Sequence, residues 1–144
     1  MDNHIKILFR HNAFDKESIE SAWAGKVENG YQLDNILFYA KNYSCQDIVS
    51  VEEVEGELFV TGLIQENGHS TIRVLFSDTK MIPKVRNELK NFGCSSELSN
   101  MINLVAVDVP PDINYSDIQD YLKKGETECK WEYQEACIAS NHQQ

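Results

Sequence analysis

The chain has 144 residues, 42% hydrophobic and 25% charged, which suits one globular unit with a single sizeable core. Its 23 acidic against 13 basic side chains give a formal net charge of -10 and a pI near 4.8. That surplus opposes nucleic acid as a direct partner and opposes anionic membranes, and no apolar run approaches the ~20 residues of a bilayer span.

The first residues, Met1-Asp2-Asn3-His4, lack the basic-then-apolar pattern of an export signal, so a cytoplasmic protein is expected. Ile5-Lys6-Ile7-Leu8-Phe9 is short and β-branched or aromatic, and reads as a strand. Ile19, Trp23 and Val27 fit either a helix face or a strand face; Asn29-Gly30 directly after them suggests strand, turn, strand, the Asn-Gly pair supplying positive φ angles. A second hairpin is predicted from the segments 47–53 and 58–64 about Glu55-Gly56. The first 66 residues thus read as β-hairpins forming a small barrel-like or curved sheet.

From residue 67 the punctuation changes. Thr71 to Phe76 is a strand; Ile82, Val85, Leu89 and Phe92 recur at helical spacing, with Pro83 near the start and Gly93 at the C-terminal cap. Strands are predicted at 95–98 and 102–109, with Ser99-Asn100 between them and Pro110-Pro111 closing the second. A helix capped by Asn114 buries Ile118, Tyr121 and Leu122 and is expected to end at Gly125, and Trp131, Tyr133 and Ile138 mark a last strand. Residues 67–139 follow the βαββαβ order of a ferredoxin-like unit, and 140–144 read as a polar tail with no need to pack. The expected fold is α+β, one compact unit over 1–144 with the β-rich half packed on the second half.

Cys45, Cys94, Cys129 and Cys137 contain no Cys-x-x-Cys pair and read as reduced thiols filling core positions. His4, His11, His69 and His142 have no metal-ligand spacing, and no phosphate-cradling loop or dinucleotide motif occurs; neither a metal nor a cofactor is expected. His69 and Ser70, adjacent on a strand, point to opposite faces and make a poor nucleophile couple, and His11 can reach a serine only through tertiary structure. No catalytic motif points to an enzyme.

Two segments stand out as sites. Asn67-Gly68-His69-Ser70-Thr71-Ile72-Arg73 places a guanidinium where positive charge is scarce. With Thr71 and Arg73 on one strand face it can hold a small anion, or it is a plain turn whose arginine pairs with a carboxylate. A small-molecule site at the junction of the halves would use Asn35, His69, Thr71 and Arg73. The second feature is acidic: Glu52, Glu53, Glu55 and Glu57, then Glu126, Glu128 and Glu132, which either keep a face solvated or form a recognition surface for a basic partner.

The succession Glu20-x-x-Trp23-Ala24, Tyr31-x-Leu33-Asp34-Asn35-Ile36-x-Phe38-Tyr39-Ala40, Asp47-x-Val49 and Gly68-His69-Ser70-Thr71-Ile72-Arg73 resembles a bacterial domain-of-unknown-function family, DUF4265. So do Gly93-Cys94-x-x-Glu97, Val105-Ala106-Val107-Asp108-Val109-Pro110 and Trp131-x-Tyr133-x-Glu135-Ala136. Leu37 departs from the pattern, which has proline there. The resemblance implies a bacterial protein of one unit and supplies no activity. By size and acidity such proteins are similar to immunity proteins of toxin pairs, including those of contact-dependent growth inhibition. The expected function is therefore an acidic protein that occludes the active site of a basic cognate toxin, such as a nuclease, through the glutamates named above; the alternative is the small-molecule site.

Overall fold

The structure, a computed structural model, describes residues 4–143; Met1, Asp2 and Asn3, where the absence of an export signal was read, and Gln144 lie outside the described residues. The chain is α+β, with two sheets and two helices. In the first sheet β1 (Ile5–His11), β2 (Ser18–Val27), β3 (Gly30–Leu33), β4 (Ile48–Val54) and β5 (Glu57–Gln65) pair antiparallel in sequence order. β5 then returns parallel to β1 at Leu8 and Phe59, closing a barrel. Period-two alternation puts Ile7, Phe9, Ala22, Ala24, Leu33 and Val49 in the interior. Burying each of the larger of these side chains is worth about 1.5–3 kcal/mol.

The two hairpin turns differ in a way that corrects the sequence reading. Glu55 (φ 52°) and Gly56 (φ 84°) both take positive φ between the paired residues Val54 and Glu57, as expected of a tight hairpin. In the other hairpin Val27 pairs with Gly30, so the loop is Glu28-Asn29, and none of its residues has positive φ. Gly30 belongs to the strand, and its reason is space: a Cβ there would lie 2.7 Å from the Val49 carbonyl oxygen.

The second sheet has the strand order β7-β8-β6-β9, from β6 (Ser70–Phe76), β7 (Ser95–Leu98), β8 (Leu104–Val109) and β9 (Trp131–Cys137), all paired antiparallel. Helix α1 (Ile82–Phe92) follows β6, and α2 (Tyr115–Thr127) follows β8. Ile72, Val74, Val105, Val107 and Trp131 join Val85, Leu89, Ile118 and Leu122 of the helices in one core. Gly93 stops α1 at φ 102°, its N–H bonded to the Lys90 carbonyl, and the Asn114 side chain caps α2 through the Ser116 N–H.

Several predicted boundaries shift. Ile102 lies outside β8 and is 83% exposed, and Ile138 lies outside β9. Gly125 does not end α2. It lies within the helix beneath the Trp131 indole, which an added Cβ would meet at 2.0 Å, and the chain turns afterwards at Cys129 (φ 61°). Cys129 is exposed and fills no core position, whereas Cys94 is buried. The tail also packs: His142 is buried, stacked on Tyr115, with Nδ1 2.6 Å from the Ser70 hydroxyl and Nε2 3.0 Å from the Pro110 carbonyl. Ser140 N–H and Oγ are held by Glu66, and the Asn141 amide donates to the Gly68 carbonyl.

Candidate functional site

On β6 the helix-side core takes Ile72, Val74 and Phe76, so the alternate residues Thr71, Arg73 and Leu75 face the barrel. Between the two lies residues 34–47, the long connection from β3 to β4, which has no helix or strand of its own. A connection of this length must be fixed by side chains, because its backbone groups have no ladder to join.

Two buried charges from different sheets fix it. Glu20 on β2 accepts the Phe38 N–H at Oε2 (2.7 Å) and the Tyr39 and Ala40 N–H groups at Oε1 (3.1 and 2.9 Å). Arg73 on β6 donates from Nε to the Leu37 carbonyl (3.3 Å), from Nη1 to Tyr39 (3.1 Å) and from Nη2 to Ala40. The segment 37–40 is thus held through its N–H groups by an anion and through its carbonyls by a cation. Both side chains are under a tenth exposed. Burial lowers the Arg73 pKa from its usual value, and the nearby Glu20 charge opposes that shift.

Further along, the Ser44 hydroxyl bonds that of Thr71 (2.7 Å). The Asp47 carboxylate accepts the N–H groups of Ser44 (2.9 Å) and Asn67 (3.0 Å). His69 Nδ1 sits 2.9 Å from both carboxylate oxygens of Asp108. Burial raises the pKa of both aspartates, and the hydrogen bonds they accept pull the other way.

Thr71 and Arg73 do share a face, as their alternation requires, but the four residues of the expected small-molecule site do not form one site. Asn35 accepts the Trp23 N–H (2.5 Å) beside a separate hollow of about 210 Å³; His69 is engaged by Asp108, Thr71 by Ser44, and Arg73 by three backbone carbonyls. Arg73 therefore neither ion-pairs with a carboxylate at bonding distance nor offers those donors to a ligand; it braces a loop. The acidic residues divide too. Glu52, Glu53, Glu55 and Glu57 are all exposed on the β4–β5 hairpin, with no lysine or arginine among residues 52–57. Glu126 and Glu128 are interleaved with Lys124 and Lys130, the latter 2.9 Å from Glu128, while Glu132 stands apart from them in a cleft.

That cleft, of about 800 Å³, is what the sequence did not disclose. Its walls are the end of β1 with residues 12–14, and the braced loop at Phe38, Tyr39 and 41–43; its floor is the barrel-facing row of Leu104, Leu75 and Glu132. Arg10, Lys41 and Arg73 line it against one carboxylate, Glu132, inverting the balance of the whole chain. His11 is 9% exposed, stacked on Tyr39 and edge-on to Phe14. Its Nδ1 accepts the Ala13 N–H (3.2 Å), so in the neutral ring Nε2 carries the proton, and Nε2 has no hydrogen-bond partner among the described residues. No fully buried side-chain nitrogen or oxygen among those residues lacks a partner, so solvent must reach Nε2, and the solvent beside His11 is the cleft.

The Ser70–His142 contact has the atoms of a serine–histidine pair without its use. Ser70 is fully buried, its oxygen also accepts the Ala139 N–H (2.8 Å), and a backbone carbonyl stands where an orienting acid would be. Among the described residues no group of three or more His, Cys, Asp or Glu side chains is placed to hold a metal ion, and no helix is long and apolar enough to cross a membrane.

Comparison with known proteins adds the following. A family model described as a domain of unknown function, DUF4265, matches residues 20–133. A solved structure described as a novel crystal structure of a hypothetical protein from Neisseria gonorrhoeae is 21% identical, covering 96% of this chain and 98% of its own, with a TM-score of 0.83. At that identity it shows a shared fold. No curated protein matches the chain.

Proposed function

The chain belongs to DUF4265, a family described only as a domain of unknown function, and from its own geometry we propose that it is a binding protein whose ligand occupies the cleft between barrel and sheet. The observation that carries this reading is the cleft lining: cations outnumber carboxylates there in a chain of net charge -10, beside an imidazole N–H with no partner among the described residues. About 800 Å³ is within the usual range of small-molecule sites, about 300–1,000 Å³, and Phe14, Phe38 and Tyr39 provide the apolar walls such sites use. The fold offers the cleft for a topological reason. We infer that strands β6 to β9 with α1 and α2 are a ferredoxin-like unit, whose helices cover one sheet face and leave the other for the barrel to cover in part.

A fragment library screened by amide chemical-shift mapping tests the proposal. Binders should move resonances of residues 10–14, 38–43 and 132–134, and Leu75→Trp, which fills the floor, should abolish their binding. A library that perturbs only other surfaces, or none, refutes it.

One observation favours a second reading, a cytoplasmic immunity protein that docks on a basic toxin: the exposed glutamates of the β4–β5 hairpin, with no basic residue between them. Complementary charge there would speed association and make it salt-dependent. Reversing Glu52, Glu53, Glu55 and Glu57 to lysine should then slow binding of a co-encoded basic toxin domain; unchanged association rates with such a domain would exclude this hairpin as the contact.

A further inference from the structure

We infer that the ligand of the cleft is an apolar or aromatic monocarboxylic acid, bound with its carboxylate at the Lys41 end and its body over Leu75 and Met101. This deepens, and rests on, the reading of the cleft as a ligand site. Three observations converge on it.

The first concerns charge. Of the cations lining the cleft, Arg73 donates from Nε, Nη1 and Nη2 to the loop carbonyls, and the Arg10 guanidinium lies 4.1 Å above the Phe59 ring. Lys41 is exposed and has no ion pair or hydrogen bond among the described residues. One free ammonium matches a ligand that carries a single negative charge. A phosphate of roughly two charges and three strong acceptor oxygens is held best by a helix N-terminus or a glycine-rich loop, and neither lines the cleft.

The second is the apolar surface left uncovered. Phe14, Leu75 and Met101 are 51%, 38% and 41% exposed, and all three line the cleft. Large apolar side chains gathered around a concavity mark a site whose occupant completes their burial. A bare inorganic anion would leave them wet; an acid with a hydrocarbon or aromatic body would not.

The third is polarity along the floor. Glu132 pairs across the strands with Leu75, whereas the Asn42 N–H meets the carbonyl of Ala136, four residues further along β9. At about 3.3 Å per strand residue this puts the Glu132 backbone ~13 Å along β9 from the point where the loop that carries Lys41 meets the strand. A carboxylate is thus drawn to the Lys41 end and repelled from the Glu132 end, which fixes the direction in which the ligand lies.

The experiment titrates the full chain with a panel of arylalkanoic and straight-chain alkanoic acids, each paired with its own primary amide, following the amide resonances of the cleft. Acids are expected to bind about tenfold or more tightly than their amides, the size of one charge-assisted hydrogen bond. Lys41→Gln, an exposed substitution, should bring each acid down to its amide while leaving the amide unchanged, and Glu132→Gln should tighten the acids. Amides that bind the cleft as well as the acids do would overturn the carboxylate inference and leave the ligand site standing. A panel that leaves every cleft resonance unmoved would remove both.

Discussion

Arg73→Met is the substitution that puts most weight on the proposed role of the loop brace. It keeps an unbranched apolar stem and removes three charge-assisted hydrogen bonds, to the carbonyls of Leu37, Tyr39 and Ala40. Hydrogen bonds to a charged group are worth about 1.5–3 kcal/mol each, but the three share one rigid group and are not additive. Water from the adjoining cleft can also reach part of the loop once the guanidinium is gone. A loss of about 3–5 kcal/mol in unfolding free energy is therefore expected, comparable to breaking one buried charge interaction and beyond the usual 0.5–3 kcal/mol of a point mutation. Arg73→Lys should recover only part of it, because an ammonium cannot span three carbonyls as the planar fork does. Urea denaturation gives the values, with an unchanged slope confirming that the native and unfolded states remain comparable. Glu20→Gln keeps one acceptor oxygen and loses the other, costing about 1.5–3 kcal/mol. Because Glu20 and Arg73 grip one segment and share Tyr39 and Ala40, their double mutant should depart from additivity by about 1 kcal/mol or more. Additivity within about 0.5 kcal/mol, or an Arg73→Met cost below about 1 kcal/mol, would show that the two charges are not one device.

Four other outcomes are expected. Gly125→Ala should destabilise the protein by at least about 1 kcal/mol despite the ~1 kcal/mol gain in helix propensity, because the Trp131 indole, bonded through Nε1 to the Leu122 carbonyl (3.0 Å), cannot withdraw from the new methyl group. Gly56→Ala, with nothing within 4 Å of the added Cβ, should cost only the about 1–2 kcal/mol of its positive φ, and thermal melts of the two variants separate crowding from backbone strain. Burial pushes the Cys45 thiol up to about 11 and that of Cys94 to about 12, so iodoacetamide at pH 8 should label Cys129 first, and Cys45 about two orders of magnitude more slowly than an ordinary thiol. Because the thiolate reacts and the Cys45 pKa is raised, its labelling rate should climb tenfold per pH unit up to about 11; peptide mass spectrometry reads this, and a rate flat in pH would contradict the buried environment. His142→Ala should lower stability by about 1–3 kcal/mol by leaving the Ser70 hydroxyl sealed without its acceptor, and a thermal midpoint unchanged by the substitution would show that the tail contributes nothing.

What was legible in the sequence was what neighbouring residues decide among themselves. The Glu55-Gly56 turn, the Gly93 stop and the Asn114 cap each depend on backbone angles or hydrogen bonds within a few positions, and all three stand as read. The misread glycines show the limit of that method. Gly30 and Gly125 lie in segments where glycine signals a turn or a stop, yet each is there to admit a distant group, the Val49 carbonyl in one case and the Trp131 ring in the other. Local sequence shows that a side chain is missing and not whether the reason is an angle or a neighbour. The tail illustrates the same point: five polar residues give no sign that His142 will meet Ser70 across the fold. Arg73 was conspicuous as a lone guanidinium on a strand, but its occupation by the loop required knowing that Glu20 grips the same segment from the barrel. The cleft was hidden for the stronger reason that residues 10–14, 41–43 and 132–134 come from three separate parts of the chain and form no motif in any one of them.

The brace and the cleft are one construction. Phe38, Tyr39, Lys41, Asn42 and Tyr43 form a wall of the cleft, and the first two lie in the segment gripped by Glu20 and Arg73. Without that grip residues 37–40 would have unpaired backbone groups, and a ligand would have to supply the ordering free energy on binding, about 1–2 kcal/mol for each backbone fixed. Buried charges held in the absence of any ligand meet that cost during folding instead. Arg73 is then a positioning residue, bonding the carbonyl side of the wall through Nε, Nη1 and Nη2, while Lys41 has no ion pair among the described residues. This gives stability and binding a shared dependence with separable signatures. Loss of the brace should weaken acid and amide ligands alike, because both need the wall in place, whereas loss of Lys41 should weaken only the acids and leave the unfolding free energy where it was.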